Sequence, residues 1–116
     1  MKSYPGSRVK ISEDRREMVA EITDDFAVAV IDRSQAHFHL RTRETYRVLR
    51  GTLYVACAGV GYVLNEQETF TIEPGNIHYA RAADTPVWIE VKSTPAWSPE
   101  DHFRARLGFP PLLGDW

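Results

Sequence analysis

The chain has 116 residues, enough for one domain with a single core, and 43% of its residues are hydrophobic while 26% are charged. This composition excludes a disordered or fibrous protein. The 14 basic and 16 acidic side chains give a formal net charge of -2, so the charge does not favour nucleic acid or an anionic membrane surface as a partner.

Short β-strands dominate the predicted elements. Met18, Ala20 and Ile22 alternate with Glu17 and Glu21, and a Thr-Asp-Asp turn precedes the run FAVAVI, so this region is predicted to form a β-hairpin. Further β-prone runs follow, separated mostly by glycine, proline, asparagine or aspartate: Thr45 to Leu49, Leu53 to Ala58, Gly61 to Leu64, Thr69 to Ile72, Ile77 to Arg81 and Val87 to Lys92. Such a series of short strands predicts a sandwich or a barrel.

One helix is predicted, late in the chain. In the segment SPEDHFRARLGF, Ser98 is a suitable N-cap, Pro99 a suitable first helical residue, and the next two residues are first-turn acids. We predict a short helix over residues 99–107, followed by an irregular tail because Pro110-Pro111 cannot continue it. The whole chain, residues 1–116, is predicted to be one domain with its core barrel over about 17–92.

The segment AHFHLRTRETYRVLRG carries the clearest chemical signal. His37 and His39 are one residue apart on a strand, so their side chains project to the same face and two imidazoles can converge. Glu44 follows a linker that can turn the chain back towards them, and the Pro74-Gly75 turn leads His78 onto a later strand. Three histidines and a glutamate suit divalent iron, manganese, nickel, cobalt, copper or zinc, with coordination positions left for water or substrate.

These residues resemble the two sequence motifs of the cupin family. His37-x-His39, four residues, Glu44, six residues and Gly51 are similar to the first motif, and Gly75-x-x-His78 is similar to the end of the second. The resemblance implies a jelly-roll β-barrel that holds a metal in its interior, an architecture that the strand count supports independently. The second motif departs from the family pattern at Gln67, in place of its opening glycine, and at Glu73, in place of a proline.

Other side chains near the motifs are candidates for the site. Tyr46 should share the inward face of Glu44, as a hydrogen-bond donor, a general acid or a packing residue. Arg43 belongs to a cluster of arginines suited to an anionic substrate group, although most of the cluster is expected to be solvated. Trp88 is expected either to line the barrel mouth or to pack. His102, in the predicted helix, is expected to face solvent rather than bind a metal.

The ligand set favours a metal-dependent enzyme. Small cupins with nearly the same ligands have several activities, so the resemblance implies a dioxygenase, lyase or isomerase acting on a small oxygenated organic substrate without choosing among them. The alternative is a non-catalytic module that binds or senses a sugar-like or carboxylate ligand. The apolar tail PPLLGDW, with Trp97 and Trp116, is suited to covering another surface, and we therefore expect a homodimer.

The amino terminus and the cysteine content predict a cytoplasmic location. The first ten residues, MKSYPGSRVK, lack the apolar segment of a secretory signal. The longest uncharged apolar stretch, Leu53 to Leu64, is shorter than the roughly 18 residues of a transmembrane helix, so no membrane span is expected. The single cysteine, Cys57, cannot form an intramolecular disulfide and is expected to be a buried apolar residue rather than a reactive thiol.

Overall fold

The computed structural model describes residues 8–105, which form two antiparallel β-sheets and almost no helix. The strands are β1 Arg8–Ile11, β2 Glu17–Thr23, β3 Phe26–Ile31, β4 His37–Phe38, β5 Arg43–Arg50, β6 Leu53–Cys57, β7 Val60–Leu64, β8 Thr69–Ile72, β9 His78–Ala82, β10 Val87–Thr94 and β11 Phe103–Arg104. The first sheet has the order β1-β2-β3-β10-β5-β8 and the second β11-β4-β9-β6-β7. Across residues 8–105, no helix has the length and apolar character needed to cross a membrane. The prediction of an all-β fold is confirmed.

Two turns that contain glycine connect β5 to β6 and β6 to β7. Between β6 and β7, Ala58 and Gly59 have φ values of 51° and 82°, as a type I′ hairpin turn requires at both of its central positions. Between β5 and β6, Gly51 has a φ of 98°, and a Cβ added there would lie 3.2 Å from the Val87 side chain. Glycine at position 51 therefore lets the chain turn tightly against β10.

The apolar core lies between the two sheets. On β10, Val87 and Ile89 are fully buried while Trp88 between them is 46% exposed, which is the alternation expected of a strand with one face inside. Leu53 and Val55 of β6 supply the opposing wall, and each side chain so buried contributes roughly 1.5–3 kcal/mol to the free energy of unfolding. Cys57, the last residue of β6, is buried with them, as predicted.

Strand β2 directs Glu17 and Glu21 inward, on the same face as Val19, and Met18 outward. Glu17 pairs with Ile31, and Glu21 pairs with Ala27, on the interior face of β3. Met18, by contrast, is 41% exposed on the outer face. The predicted hairpin is therefore present, but its glutamates line the interior of the molecule.

The predicted helix over residues 99–107 is wrong across residues 99–105, and residues 106 and 107 lie outside the described part of the chain. A single 3-10 turn, Pro99–Asp101, forms instead, and Ser98 makes no side-chain capping hydrogen bond. The chain then becomes extended and pairs as β11 with β4, since the edge of the second sheet offers backbone partners. The tail with Trp116, on which the homodimer prediction partly depends, lies outside the described residues, so that prediction is not tested.

Candidate metal centre

Both sheets contribute to the site predicted from the sequence. His37 in β4 pairs directly with His78 in β9, and His39 follows β4 on the same sheet. Glu44 is the second residue of β5 on the opposite sheet. One ligand atom from each of these four residues lies within 4.8 Å of the others, a grouping that could hold a metal ion. The structure thus brings together all four residues that the sequence pattern selected.

Backbone carbonyl groups fix the orientation of all three imidazoles. The Nδ1-to-oxygen distances are 2.8 Å from His37 to Gln35, 2.7 Å from His39 to Asp101 and 2.9 Å from His78 to Asn76. Because a carbonyl oxygen only accepts, each Nδ1 must be the donor, and Nε2 of each neutral ring is an acceptor. This is the arrangement usual for metal-ligating histidines.

Three buried acceptor atoms meet at the centre of the site. Nε2 of His39 and Nε2 of His78 lie 3.4 and 3.2 Å from Oε1 of Glu44. None of the three atoms has a hydrogen-bond partner within residues 8–105. Lone pairs this close repel one another unless a cation lies between them, either a proton on an imidazole or a metal ion. The donor set fits a divalent transition metal, because imidazole nitrogen and carboxylate oxygen are its common ligands.

The electrostatic environment favours the metal-binding forms of two ligands. Burial, reinforced by the neighbouring His78, lowers the pKa of His37 to about 3 and keeps its imidazole neutral. Burial alone would raise the pKa of Glu44, but the imidazoles of His39 and His78 hold it well below its usual range. Burial likewise opposes protonation of His39, yet the Glu44 carboxylate outweighs it and raises the His39 pKa. Glu44 is therefore anionic and His37 is neutral, and these are the forms in which a carboxylate and an imidazole bind a metal cation.

Asp101 holds the loop that follows His39. Its carboxylate accepts hydrogen bonds from the backbone amides of Leu40, Arg41 and Thr42 at 2.8 to 3.0 Å. Its own backbone carbonyl accepts the Nδ1 proton of His39. Sequence reasoning assigned Asp101 to the first turn of a helix and missed this positioning role, because the contact joins residues about sixty positions apart.

A cavity of about 490 Å³ adjoins the four residues on the side of β1 and β2. His37 and Glu44 form part of its wall, and Tyr46 lines it with only 6% of its surface exposed. Within residues 8–105 the Tyr46 hydroxyl makes no hydrogen bond, and burial, with the nearby Glu44 charge, raises its pKa well above the usual value. Tyr46 therefore presents an unpaired hydroxyl beside the candidate metal centre.

His102 and Trp97 cover the outer side of the centre. His102 is exposed, as predicted, but its ring stacks on His37 with the ring centroids 4.7 Å apart. Nε1 of Trp97 donates a hydrogen bond of 3.3 Å to Nδ1 of His102, and the Trp97 ring lies under the Lys10 ammonium group. No local signal predicted this contact, since it depends on the pairing of β11 with β4.

Two further candidates lie away from the cavity. Nε of Arg43 donates to Glu73 at 2.8 Å, and both side chains are 54% exposed. Trp88 is on the outer face of β10. The structure does not bring either side chain to the cavity wall, which is lined instead by Glu17 and Glu21 of β2. Their strand was predicted, but alternation alone did not show which of its faces is interior.

Comparison with known proteins identifies the fold. No protein-family model matches the sequence, and no curated protein matches it. Among solved structures, Streptomyces Pac13 with uridine aligns at 16% identity over 91% of this chain and 93% of its own, with a TM-score of 0.72. CapF, a capsular polysaccharide assembling protein of Staphylococcus aureus, aligns at 17% identity over 90% of this chain and 33% of its own, with a TM-score of 0.74. The cupin domain of Schizosaccharomyces pombe Cnp3 aligns at 10% identity over 79% and 64%, with a TM-score of 0.58.

These similarities, at low sequence identity, establish the fold rather than the activity. The chain has the cupin-type barrel that the two motifs predicted, with the His and Glu residues of both motifs gathered inside it. Within residues 8–105, the predicted helix is corrected to a single 3-10 turn.

Proposed function

We propose that the protein is a metal-dependent enzyme that acts on a small organic molecule in the cavity beside His37, His39, Glu44 and His78. The observation that carries this proposal is the convergence of three buried acceptor atoms, with no donor among the described residues, on one point. A divalent transition metal held by the four residues would supply a Lewis acid next to the bound molecule.

The other groups on the cavity wall favour a reaction in which protons move. Burial and the charge of Glu44 raise the pKa of Glu17 to about 7, which suits a group that gives and takes a proton near neutrality. Tyr46 adds a hydroxyl that can donate a hydrogen bond. We therefore favour a lyase or isomerase over a dioxygenase. The structural similarity to Pac13, a nucleoside dehydratase, supports the same choice.

Metal analysis of the purified protein tests the candidate centre. After incubation with zinc, manganese or ferrous ion and removal of the excess, we expect a stoichiometric amount of one of them in the wild type. His78→Ala should lose most of this metal. His102→Ala is the matched control, because His102 stacks on His37 but does not belong to the four-residue group. Equal metal content in His78→Ala and wild type would overturn the assignment.

Substrate screening with and without oxygen tests the reaction class. The proposal expects turnover of a small hydroxylated compound that continues when oxygen is removed. Turnover that requires oxygen would favour a dioxygenase, and binding without turnover across the screen would favour a non-catalytic binding module.

A homodimer is proposed from the outer face of the first sheet. The pairing register places four apolar side chains in one row across neighbouring strands. They are Ile11, Met18, Val30 and Trp88. Ile11 is 52% exposed and Trp88 is 46% exposed, so this row presents apolar surface to its surroundings. Light scattering at micromolar concentration should give the mass of a dimer, and a monomer mass would contradict the proposal.

A further inference from the structure

The cavity beside the candidate metal centre is lined by many more carboxylates than cationic side chains. Six acidic residues line it, against two basic ones, Lys10 and Arg104. The acidic residues are Glu13, Glu17, Glu21, Asp24, Asp25 and Glu44. A bound divalent cation would offset only two of the four excess negative charges. The wall therefore repels an anionic molecule even when the centre is loaded.

Both cationic side chains on this wall already have anionic or polar partners. Nζ of Lys10 lies 2.8 Å from Oε2 of Glu21 and also sits over the Trp97 ring at 3.6 Å. Arg104 contacts Glu13 at 3.1 Å and also donates to Gln35. An incoming carboxylate or phosphate would have to compete with these carboxylates for either cation.

Two polar groups on the wall, in contrast, have no partner within the described part of the chain. The Glu17 carboxyl group makes no ion pair or hydrogen bond there, whereas Glu21 on the same strand face is paired with Lys10. The hydroxyl of Tyr46, on a side chain that is 94% buried, is also without a hydrogen bond. Partly buried polar groups without partners cost free energy, and a ligand that supplies hydrogen-bond donors would recover it.

We propose that this cavity binds a small polyol-type molecule, uncharged or bearing an amine, whose hydroxyl or ammonium hydrogens are bound by Glu17 and Tyr46. Glu17 is then a residue that determines specificity, since its negative charge selects against carboxylates and phosphates. The inference rests on the proposed function in one respect, because it takes the cavity as the place where the substrate meets the metal centre. It also replaces the anionic substrate that the arginine cluster had suggested.

Three compounds of nearly equal size test the charge preference. Aminopropanediol, glycerol and glycerate share a three-carbon chain with two adjacent hydroxyl groups and differ in one end group, which is an amine, a hydroxyl or a carboxylate. We would titrate each into the full-length protein by calorimetry at about pH 8, where a Glu17 pKa near 7 leaves its carboxyl group ionised. Aminopropanediol should bind most tightly and glycerate most weakly.

The Glu17→Gln variant connects this preference to one residue. It should weaken aminopropanediol binding roughly tenfold, because a hydrogen bond to a charged group is lost, and it should strengthen glycerate binding. Glu90→Gln is the matched control, since it changes the net charge equally but lies on the outer face, where Glu90 pairs with Arg47. Glu17→Asp keeps the charge and should retain much of the preference. Circular dichroism establishes that each variant is folded.

The outcomes separate this inference from the proposed function. Glycerate binding as tight as aminopropanediol binding in the wild type would overturn the inference, as would equal effects of Glu17→Gln and Glu90→Gln, or no binding of any probe. If the protein loads metal and the preference does not depend on Glu17, the inference fails and the metal centre stands. If the Glu17-dependent preference occurs in a protein that takes up no metal, the inference stands and the proposed function fails.

Discussion

Strands β2 and β10 belong to the same sheet, with only β3 between them, yet β10 presents fully buried apolar side chains to the interior while β2 presents two carboxylates. β10 contributes Val87 and Ile89, both fully buried in the apolar core. β2 contributes Glu17 and Glu21 to the wall of the cavity. One side of the barrel interior therefore stabilises the fold by burying apolar surface, whereas the other holds carboxylates whose partial burial costs stability. One small barrel therefore combines an apolar core with a polar cavity.

Strand β3 marks the transition between these two sides. Its interior residues include Ala27, which lines the cavity, and Ala29, which belongs to the core. The methyl side chain of Ala27, which is paired with Glu21 of β2, leaves space beside that carboxylate. The cavity therefore depends on a small residue of β3 as well as on polar residues of β2.

Removal of the metal should produce the largest change in stability. This change should leave the apolar core intact, because the candidate centre lies on the other side of the barrel interior, with Glu17 and Glu21. A ligand that binds only the folded state adds RT ln(1 + [L]/Kd), about 4 kcal/mol at a thousandfold excess over Kd. Chelator should therefore lower the melting temperature by roughly ten degrees or more, measured by circular dichroism. Strand content should stay the same, because the apolar core does not include the four candidate ligands.

The ligand variants control this experiment. In His37→Ala, His39→Ala and His78→Ala, the chelator-induced shift should shrink sharply. A chelator shift of the same size in all three variants as in the wild type would contradict the site. A chain that is unfolded without metal would contradict a core that folds on its own.

Truncation on the apolar side should give the next largest effect. Ile89→Ala removes a fully buried side chain from the core and should lower the free energy of unfolding by about 3 kcal/mol through lost burial and a residual cavity. Val63→Ala on β7 is the control, and we expect a change several times smaller because Val63 is 58% exposed. Equal losses in urea denaturation would mean that burial does not distinguish these two positions in this way.

On the polar side, neutralising a carboxyl group should stabilise the protein. The folded-state pKa of Glu17 is raised to about 7 from 4.5, so between these values the folded state binds more protons than the unfolded state and stability falls as pH rises. Glu17→Gln removes this loss. Its melting temperature should match that of the wild type near pH 4.5 and exceed it by about 5 to 10 °C at about pH 8. The corresponding gain in the free energy of unfolding at pH 8 is on the order of 2 kcal/mol. Parallel pH profiles for the two proteins would contradict the placement of Glu17.

The fold was predictable from the sequence where the signals are local. The spacing of His37, His39 and Glu44, followed by Gly51, depends on strand alternation and one tight turn, and the structure reproduces both. The substitution of Gln67 for the usual glycine is also accommodated, because Gln67 has a φ of 72° and takes the left-handed conformation that glycine would favour. At that position the backbone geometry is retained although the residue type is not.

The remaining features depend on contacts between distant parts of the chain. Alternation gave the period of β2 but not its interior face, since Met18 and Glu17 fit either orientation until β1 and β3 are in place. The helix prediction failed because its capping signals were local, whereas Asp101 is used by the amides that follow His39. The polar lining of the cavity and the position of His102 over the candidate centre also depend on pairing between strands that are far apart in the sequence.

The smallest expected effect concerns the contact between Asp101 and the loop after His39, which supports the candidate metal centre. Asp101→Ala removes the acceptor of three backbone amides and so loosens the segment that begins with His39, whose Nδ1 donates to the Asp101 carbonyl. Groups that orient a metal ligand typically change metal affinity by ten- to a hundredfold, and we expect roughly tenfold here because the backbone carbonyl remains. Competition with a chromophoric chelator measures the affinity.

Two variants control this experiment. Glu100→Ala, in the same 3-10 turn but exposed, should leave the metal affinity unchanged, and Asp101→Asn should recover part of the loss through its remaining oxygen. If Asp101→Ala binds metal as tightly as Glu100→Ala does, the polar side holds its geometry without this contact, and β4 and β9 alone are sufficient to orient the histidines.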